Sequence, residues 1–249
     1  MLPPTSVVIP AFNEAVRIGD TLAITIGYLE KESPTSEVIV VNDGSTDSTG
    51  EMIRKVSDVP SSVAVRLLEN FTNRGKGAPV RTGLSSATKP IGVFFDADLS
   101  TPIDELPKII EPIASGEVDI AFGSRALDRK LIGNRQPWRR EQGGRVFNLV
   151  VRVATGLPFW DTQCGFKAFR MEACRPIIEA AKIIGFGFDV ELLLLAQRAG
   201  LRLREIPVRW NHHEGSKIRF VHDSVRMLRE VLSLRANNAV IPRRACVVM

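Results

Sequence analysis

The sequence is poor in several residue types, and each scarcity removes a class of function. Only three of its 249 residues are cysteine (Cys164, Cys174 and Cys246), an odd count without metal-ligand spacing. They read as free thiols in a reducing compartment. There are also only three histidines, too scattered for a zinc site although His212 and His213 are adjacent. A single tyrosine, with no interleaving of aromatic and basic residues, argues against stacking on single-stranded nucleic acid, and no nucleic-acid partner is expected. No Gly-x-Gly-x-x-Gly follows the first strand signal and no Gly-x-x-x-x-Gly-Lys-Ser/Thr occurs. That argues against a dinucleotide dehydrogenase and a P-loop NTPase. The first apolar run, Ser6 to Pro10, is too short for a signal segment, and no window approaches the ~20 apolar residues of a membrane span. The chain is expected not to cross a bilayer by itself.

What is present is a globular composition, 44% hydrophobic, of a size that suits one large α/β domain or two small ones. The first half alternates strand and helix signals. Strands are expected at Thr5–Pro10, Glu37–Asn42, Val63–Leu68, Ile91–Phe95 and Val118–Phe122. Helices are expected from Asn13 to about Glu32, over Thr46–Val56, Gly77–Ala87 and Pro102–Ala114. This β-α repeat predicts a mostly parallel sheet with helices on both faces. Beyond Gly123 the pattern changes. An irregular basic loop leads to an amphipathic helix from Pro137 to about Thr155, then a turn at Asp161–Phe166 entering Lys167–Arg170. A buried helix (Phe188–Arg198), a strand (Leu201–Trp210), a polar loop and a basic helix (Asp223–Arg235) follow. This second part is expected to pack onto the sheet, so residues 1–235 form one domain, and residues 236–249 a loose tail.

The stretch Ile91-Gly92-Val93-Phe94-Phe95-Asp96-Ala97-Asp98 is the centre of the pattern. A buried parallel strand reads as a continuous apolar run, and this one ends in two carboxylates at positions i and i+2, which point the same way on an extended chain. Asp98 as a helix cap and Asp96 as a turn residue would be a sufficient account of an isolated Asp-x-Asp. The cap is better assigned to Thr101, with Pro102 at the first helical position and Asp104 and Glu105 in the first turn. Both aspartates are then available for a hard cation, Mg²⁺ or Mn²⁺.

Other polar turns follow the neighbouring strands: Ala11-Phe12-Asn13-Glu14, Asn42 to Asp47, and Asn70 to Lys76. Turns at the carboxyl ends of parallel strands converge on one rim, where ligands of such sheets bind. Asp43 is placed to meet a ribose hydroxyl or a base, or to make an Asx-turn. Asn73-Arg74-Gly75-Lys76-Gly77, at a helix start, suits phosphate oxygens or a plain turn. A sugar nucleotide satisfies all these parts, with base and ribose near Pro10–Glu14 and Asp43 and a metal-bound diphosphate at Asp96 and Asp98.

Charge is uneven. Between Arg125 and Arg152 eight basic residues face two acids, an excess greater than the net +5 of the whole chain. Such a block points to an anionic partner.

Val8-Ile9-Pro10-Ala11-Phe12-Asn13-Glu14, Val41 to Asp47, Asn73 to Gly77 and Asp96-Ala97-Asp98 resemble the successive motifs of glycosyltransferase family 2, with its GT-A fold. Gly123-Ser124-Arg125, Asp161 to Lys167, Phe188 to Leu192 and Glu214 to Lys217 resemble its dolichyl-phosphate β-glucosyltransferase branch, near the polyprenyl-phosphate mannosyltransferases. The resemblance runs from about Ser6 to Arg235. It implies a nucleotide-sugar half over about 5–123 and an acceptor half over about 124–235. It also implies inverting, metal-dependent transfer of one sugar, glucose from UDP-glucose first, to a dolichyl or polyprenyl phosphate.

On that reading Pro10, Ala11, Asn13, Glu14, Asp43, Gly75, Lys76, Asp96 and Ala97 bind the donor, and Asp96 and Asp98 hold Mg²⁺ or Mn²⁺. Asp98, Arg125 and Asp161 are the catalytic candidates. Arg125, Arg139, Arg140 and Lys217 are candidates for the acceptor phosphate, because guanidinium groups grip phosphate in two places. Asp161 is a base for an alcohol acceptor; for a phosphate acceptor it binds sugar hydroxyls or orients an arginine. Contact with the cytoplasmic face of a membrane would come from the basic amphipathic segments. Alternatives are GDP-mannose as donor, a soluble or polysaccharide acceptor, and a non-catalytic nucleotide- or nucleic-acid-binding module. The Gln-x-x-Arg-Trp of processive synthases is missing; only Gln136-Pro137-Trp138-Arg139-Arg140 comes near it.

Overall fold

The structure is a computed structural model, and it describes residues 1–134, 138–212, 226–227 and 229–233. In chain order the strands are β1 Thr5–Ala11, β2 Glu37–Asp43, β3 Ala64–Asn70, β4 Ile91–Phe95, β5 Ile120–Ser124, β6 Phe166–Arg170 and β7 Leu203–Pro207. The helices are α1 Ile18–Glu32, α2 Thr49–Ser57, α3 Gly77–Ser85, α4 Leu106–Ala114, α5 Trp138–Thr155, α6 Met171–Ala180 and α7 Phe188–Arg198. Residues 226–227 and 229–233 are also helical. Among the described residues no helix is long and apolar enough to cross a membrane.

The strands make one seven-stranded sheet in the order β3-β2-β1-β4-β6-β5-β7. Every pairing is parallel except those of β6, which runs antiparallel between β4 and β5. The expected mostly parallel α/β sheet is therefore present, and the second half of the chain contributes two of its strands. Because β6 runs backwards, its first residue, Phe166, pairs with Phe95, the last of β4. The turn before β6 thus reaches the rim where the parallel strands end.

Strand periodicity sorts the core into two layers. Val8, Ile39, Val41, Phe94, Phe122 and Phe169 face α3, α5, α6 and α7. Val7, Ile9, Val38, Val40, Phe95 and Phe166 face α1, α2 and α4. Phe94 is stacked on Phe169 with centroids 6.2 Å apart and meets Phe188 of α7 at 5.6 Å.

Three helix starts differ from expectation; α2 begins at Thr49 rather than Thr46, where Asp47 accepts from the Thr49 amide and hydroxyl. Helix α1 begins at Ile18 rather than Asn13, because Asn13 has φ of +53°. Asparagine tolerates this left-handed backbone, which a helix cannot continue through. Thr101 does not cap α4. A 3₁₀ turn over Ile103–Glu105 precedes that helix, and no side chain caps it. Asp104 and Glu105 instead bind Arg209, with contacts of 2.6 Å each.

Candidate active site

The site is built on the rim where β1, β2, β4 and β5 end. The turns after β1 and β2 are bonded to each other. The Asn13 amide donates to Ser45 Oγ at 2.9 Å, and Thr46 N donates to Asn13 Oδ1 at 2.8 Å. Glu14 N reaches Thr49 Oγ1 at 2.7 Å, and Ala15 N reaches Asp47 Oδ2 at 3.2 Å. Polar side chains in both turns thus satisfy backbone groups that the sheet leaves unpaired.

Asp43 is buried at the end of β2. Its Oδ1 accepts from Asn70 Nδ2 at 2.7 Å, and its Oδ2 accepts from the amides of Arg74 at 2.9 Å and Gly75 at 3.1 Å. The carboxylate therefore fixes the distant Asn73–Gly77 loop, rather than making the local Asx-turn that was its alternative. Gly75 takes φ of +94°, and a Cβ there would lie 2.7 Å from Ile184 O. Both facts call for glycine. The loop needs this close approach because Gly77 N donates to the same carbonyl at 2.9 Å.

Asp96 and Asp98 stand at the end of β4. Lys76, at the start of α3, places Nζ 2.6 Å from Asp96 Oδ1. Burial works against the lysine's charge, but Asp96, Asp189 and Asp98 outweigh it and hold its pKa above the ordinary value. Asp98 Oδ1 accepts from Ser100 N at 2.9 Å, so one oxygen does make the local turn contact. Between them in the turn, Leu99 is held at φ +47°, its amide donating to Asp96 O at 3.2 Å. A bulky residue in that region signals a locally strained turn. A cleft of about 580 Å³ opens beside Asp98 and Leu99, between α1 (Thr21, Ile24) and Pro102–Asp104. A smaller hollow joins Asp96 and Asp98 to Gly165 and Trp210.

The Asp96 amide donates to Gly165 O at 3.3 Å. A Cβ at Gly165 would sit 2.2 Å from Asp96 Oδ2. Two carboxylates with an ammonium already drawn against one of them form a donor set that fits a hard divalent cation, which takes few protein oxygens. Among the described residues no group of three or more His, Cys, Asp or Glu side chains forms a fuller cage.

Arg125 follows β5 and Asp161 precedes β6. Arg125 Nε donates to Asp161 Oδ2 at 2.7 Å, Nη2 to Oδ1 at 2.8 Å, and the Arg125 amide to Oδ2 at 2.9 Å. Burial pushes the Asp161 carboxyl up, but Arg125 outweighs it and the pKa falls below the usual range. The Arg125 guanidinium lies 5.7 Å from the Trp210 ring centroid. Glu205 of β7 accepts the amides of Trp160 at 2.9 Å and Asp161 at 2.7 Å, fixing the turn. Trp210 is fixed in turn, since its amide donates to Leu131 O at 3.1 Å and Asn211 N donates to Ser100 O at 2.8 Å.

Four residues here were not among the candidates. Lys167 of β6 is fully buried and donates to Asp189 Oδ1 and Cys164 O, both at 2.6 Å. Its signal was a lysine inside the otherwise apolar run Phe166–Phe169. Asp189 and Glu191 both stand in the first turn of α7, and neither caps it. Asp189 takes Lys167; burial raises its pKa against the pull of Lys167 and Lys76. Glu191 accepts the amides of Lys182 and Ile183, at 2.9 Å and 2.7 Å, shaping the loop that meets Gly75 and Gly77. The fourth is Gly165, which only its contact with Asp96 reveals.

Pro10, Ala11, Asn13, Glu14, Asp43, Gly75, Lys76, Asp96, Ala97, Asp98, Arg125 and Asp161 all lie at or beside this rim. The side chains of Arg139 and Arg140, Lys217, and the tail 236–249 lie outside the described residues.

Comparison with known proteins gives one family. The model described as glycosyl transferase family 2 matches residues 6–178. A dolichyl-phosphate beta-glucosyltransferase of Trichomonas vaginalis is 37% identical over 86% of this chain and 66% of its own. The glycosyltransferase AglD of Haloferax volcanii is 33% identical over 96% of this chain, which spans only 38% of that relative. The dolichyl-phosphate beta-glucosyltransferase of Saccharomyces cerevisiae is 32% identical over 92% of this chain and 73% of its own. Among solved structures, Mycobacterium tuberculosis glucosyl-3-phosphoglycerate synthase with Mn²⁺, UDP-glucose and phosphoglyceric acid superposes with a TM-score of 0.68. It is 21% identical and covers 94% of this chain and 79% of its own.

Proposed function

The chain belongs to glycosyl transferase family 2, and from that premise we propose that it transfers one glucose from UDP-glucose to a dolichyl or polyprenyl phosphate, with inversion. It is a glycosyltransferase with the GT-A fold that its motifs implied. The observation that carries the finer reading is the pairing of two sites on one rim. The carboxylates Asp96 and Asp98 end β4, and the Arg125–Asp161 pair sits one strand beyond, across β6. The names of the relatives support glucose and the lipid phosphate, and the bound Mn²⁺ and UDP-glucose of the solved structure support the donor and a divalent ion.

In this proposal Asp96 and Asp98 hold Mg²⁺ or Mn²⁺, which supplies Lewis-acid charge for the departing diphosphate. Lys76, placed against Asp96, adds a second positive charge on that side. The Asn73–Gly77 loop, fixed by Asp43, and the turn from Pro10 to Glu14 cradle the nucleotide. On the acceptor side Asp161 occupies the Nε and one Nη2 proton of Arg125. The Nη1–Nη2 edge of the fork remains to grip a phosphate in two places. An attacking phosphate oxygen is already largely ionised, since its second pKa is near 6, so no strong base is needed. Asp161 is then a positioning residue and Arg125 the group that touches the acceptor. The lipid acceptor puts the protein at the cytoplasmic face of a membrane.

The test is a radiolabel screen. UDP-glucose, UDP-GlcNAc and GDP-mannose are each offered with a short polyprenyl phosphate and the product is scored by extraction into organic solvent. Label from UDP-glucose is expected in the organic phase; label from GDP-mannose alone would overturn the sugar assignment.

A further inference from the structure

Helix α5 buries one face and exposes another that is also apolar. Phe147, Val151 and Ala154 pack into the core. Val146, Leu149, Val150 and Val153 are exposed, by 62%, 58%, 36% and 72%. Their spacing of i, i+3, i+4 and i+7 puts them in one stripe, within an arc of about 100° on the helix. An apolar stripe facing water needs an explanation, since surface helices normally direct such a stripe inward.

Three observations identify the occupant as a lipid surface rather than a protein face. The first is charge. Arg145 and Arg152 fall on one flank of the stripe, within the block where eight basic residues meet two acids. Anionic headgroups attract such a flank while the stripe enters the acyl boundary. The second is Trp160, which is 56% exposed just past the helix, with the Arg152 guanidinium 3.9 Å from its ring centroid. An indole beside an arginine is the amphipathic pair that settles at headgroup level. The third is continuity with the acceptor site. Asn148 of α5 accepts from Thr162 Oγ1 at 3.4 Å, and Trp160 and Thr162 flank Asp161, which holds Arg125. Asn148 lies on the side of α5 turned away from the stripe, so the link between the two runs round the basic flank, through Arg152 and the Trp160 that adjoins Asp161.

We propose that the Val146–Leu149–Val150–Val153 face of α5, with Trp160, Arg145 and Arg152, is the surface by which this domain docks on an anionic lipid bilayer. This rests on the lipid-phosphate reading above and specifies where the membrane lies relative to Arg125. Docking through α5 places Arg152 and Trp160 at the headgroup layer, with Asp161 next to Trp160 in the chain.

The test uses the whole chain and large unilamellar vesicles of phosphatidylcholine, alone or with a third phosphatidylglycerol. The protein is expected to sediment with the anionic vesicles and much less with the neutral ones. The double variant Leu149→Glu/Val153→Glu is expected to bind the anionic vesicles at least tenfold more weakly. The milder Leu149→Ser/Val153→Ser, which adds no charge, is expected to fall between. Glucose transfer to a short, water-soluble polyprenyl phosphate is measured in parallel and is expected to be unchanged in both variants. Unaltered vesicle binding by both variants overturns the docking proposal. A self-association of the parent that both variants abolish, without any vesicle binding, assigns the stripe to a second copy and also overturns it. If the parent transfers no glucose to the short acceptor, the lipid-phosphate reading fails by itself, whatever the vesicles show.

Discussion

Arg125 and Asp161 meet through two parallel hydrogen bonds of 2.7 and 2.8 Å, with a third from the Arg125 amide to the same carboxylate. A carboxylate gripped on both oxygens is a poor proton acceptor, and the pairing holds its pKa below the usual range. Asp161→Asn is expected to lower kcat/KM for the polyprenyl phosphate about 10–100-fold, by loosening an arginine rather than by removing a base. The distinction lies in the pH profile of kcat. In the parent protein it should be flat for this group between pH 5.5 and 8, whereas an acidic limb belonging to Asp161 would show a base.

Removing the carboxylates at the end of β4 addresses the metal. Asp98→Asn is expected to reduce transfer by about 10³-fold while leaving Tm within a few degrees, because the side chain takes only the Ser100 amide among the described residues. Calorimetric titration with Mn²⁺ gives the second readout, and a parent protein that turns over equally in EDTA would refute the assignment.

Gly165 tests the other carboxylate of the pair, Asp96, without touching its chemistry. A methyl group at Gly165 would meet Asp96 Oδ2 at 2.2 Å, so Gly165→Ala must push the Asp96 side chain aside. Transfer is expected to drop about 10–100-fold through misplacement of a ligand, with Mn²⁺ affinity reduced in step. Wild-type rates in a folded Gly165→Ala protein would mean that Asp96 has no fixed role.

On the opposite rim, Glu37 governs acid stability. Its Oε1 accepts from Ser6 Oγ, Thr88 N and Thr88 Oγ1, and its Oε2 from Arg66. Burial alone would raise its pKa, but these donors lower it from the ordinary 4.5 to about 2. A carboxyl depressed on folding adds stability that is complete above the ordinary value and is lost as pH falls from about 4.5 toward 2. Glu37→Gln is expected to cost about 2 kcal/mol at pH 7 and to flatten the acid limb of the stability curve, measured by urea unfolding at stepped pH.

The parallel half of the fold was legible because its strands are continuous apolar runs separated by helices with clear spacing. Ile91–Phe95 formed at its expected bounds. What stayed hidden is non-local. Nothing in Phe166–Arg170 says that it runs backwards between β4 and β5, since a buried five-residue strand reads the same in either direction. Local rules failed where a distant partner outbid them. Asp104 and Glu105 looked like first-turn acids of a helix, yet Arg209 from the far end of the sheet takes both. Asp189 stands in the first turn of α7, where an acid suits the helix dipole, yet the buried Lys167 takes it. Asp43 was rightly placed at the rim, and pairing with the Arg74 and Gly75 amides gave it a scaffolding task that spacing could not reveal.

The reversed strand also fixes a length. With β6 between them, β4 and β5 are two strand spacings apart, about 9.6 Å rather than about 4.8 Å. The carboxylates that end one strand and the arginine that follows the other are thus held at a separation the backbone ladder dictates. Had β5 paired directly with β4, the two ends would have been crowded together. The antiparallel strand acts as a spacer bar, and on the proposed function the gap it sets is where a single sugar would sit between two phosphates.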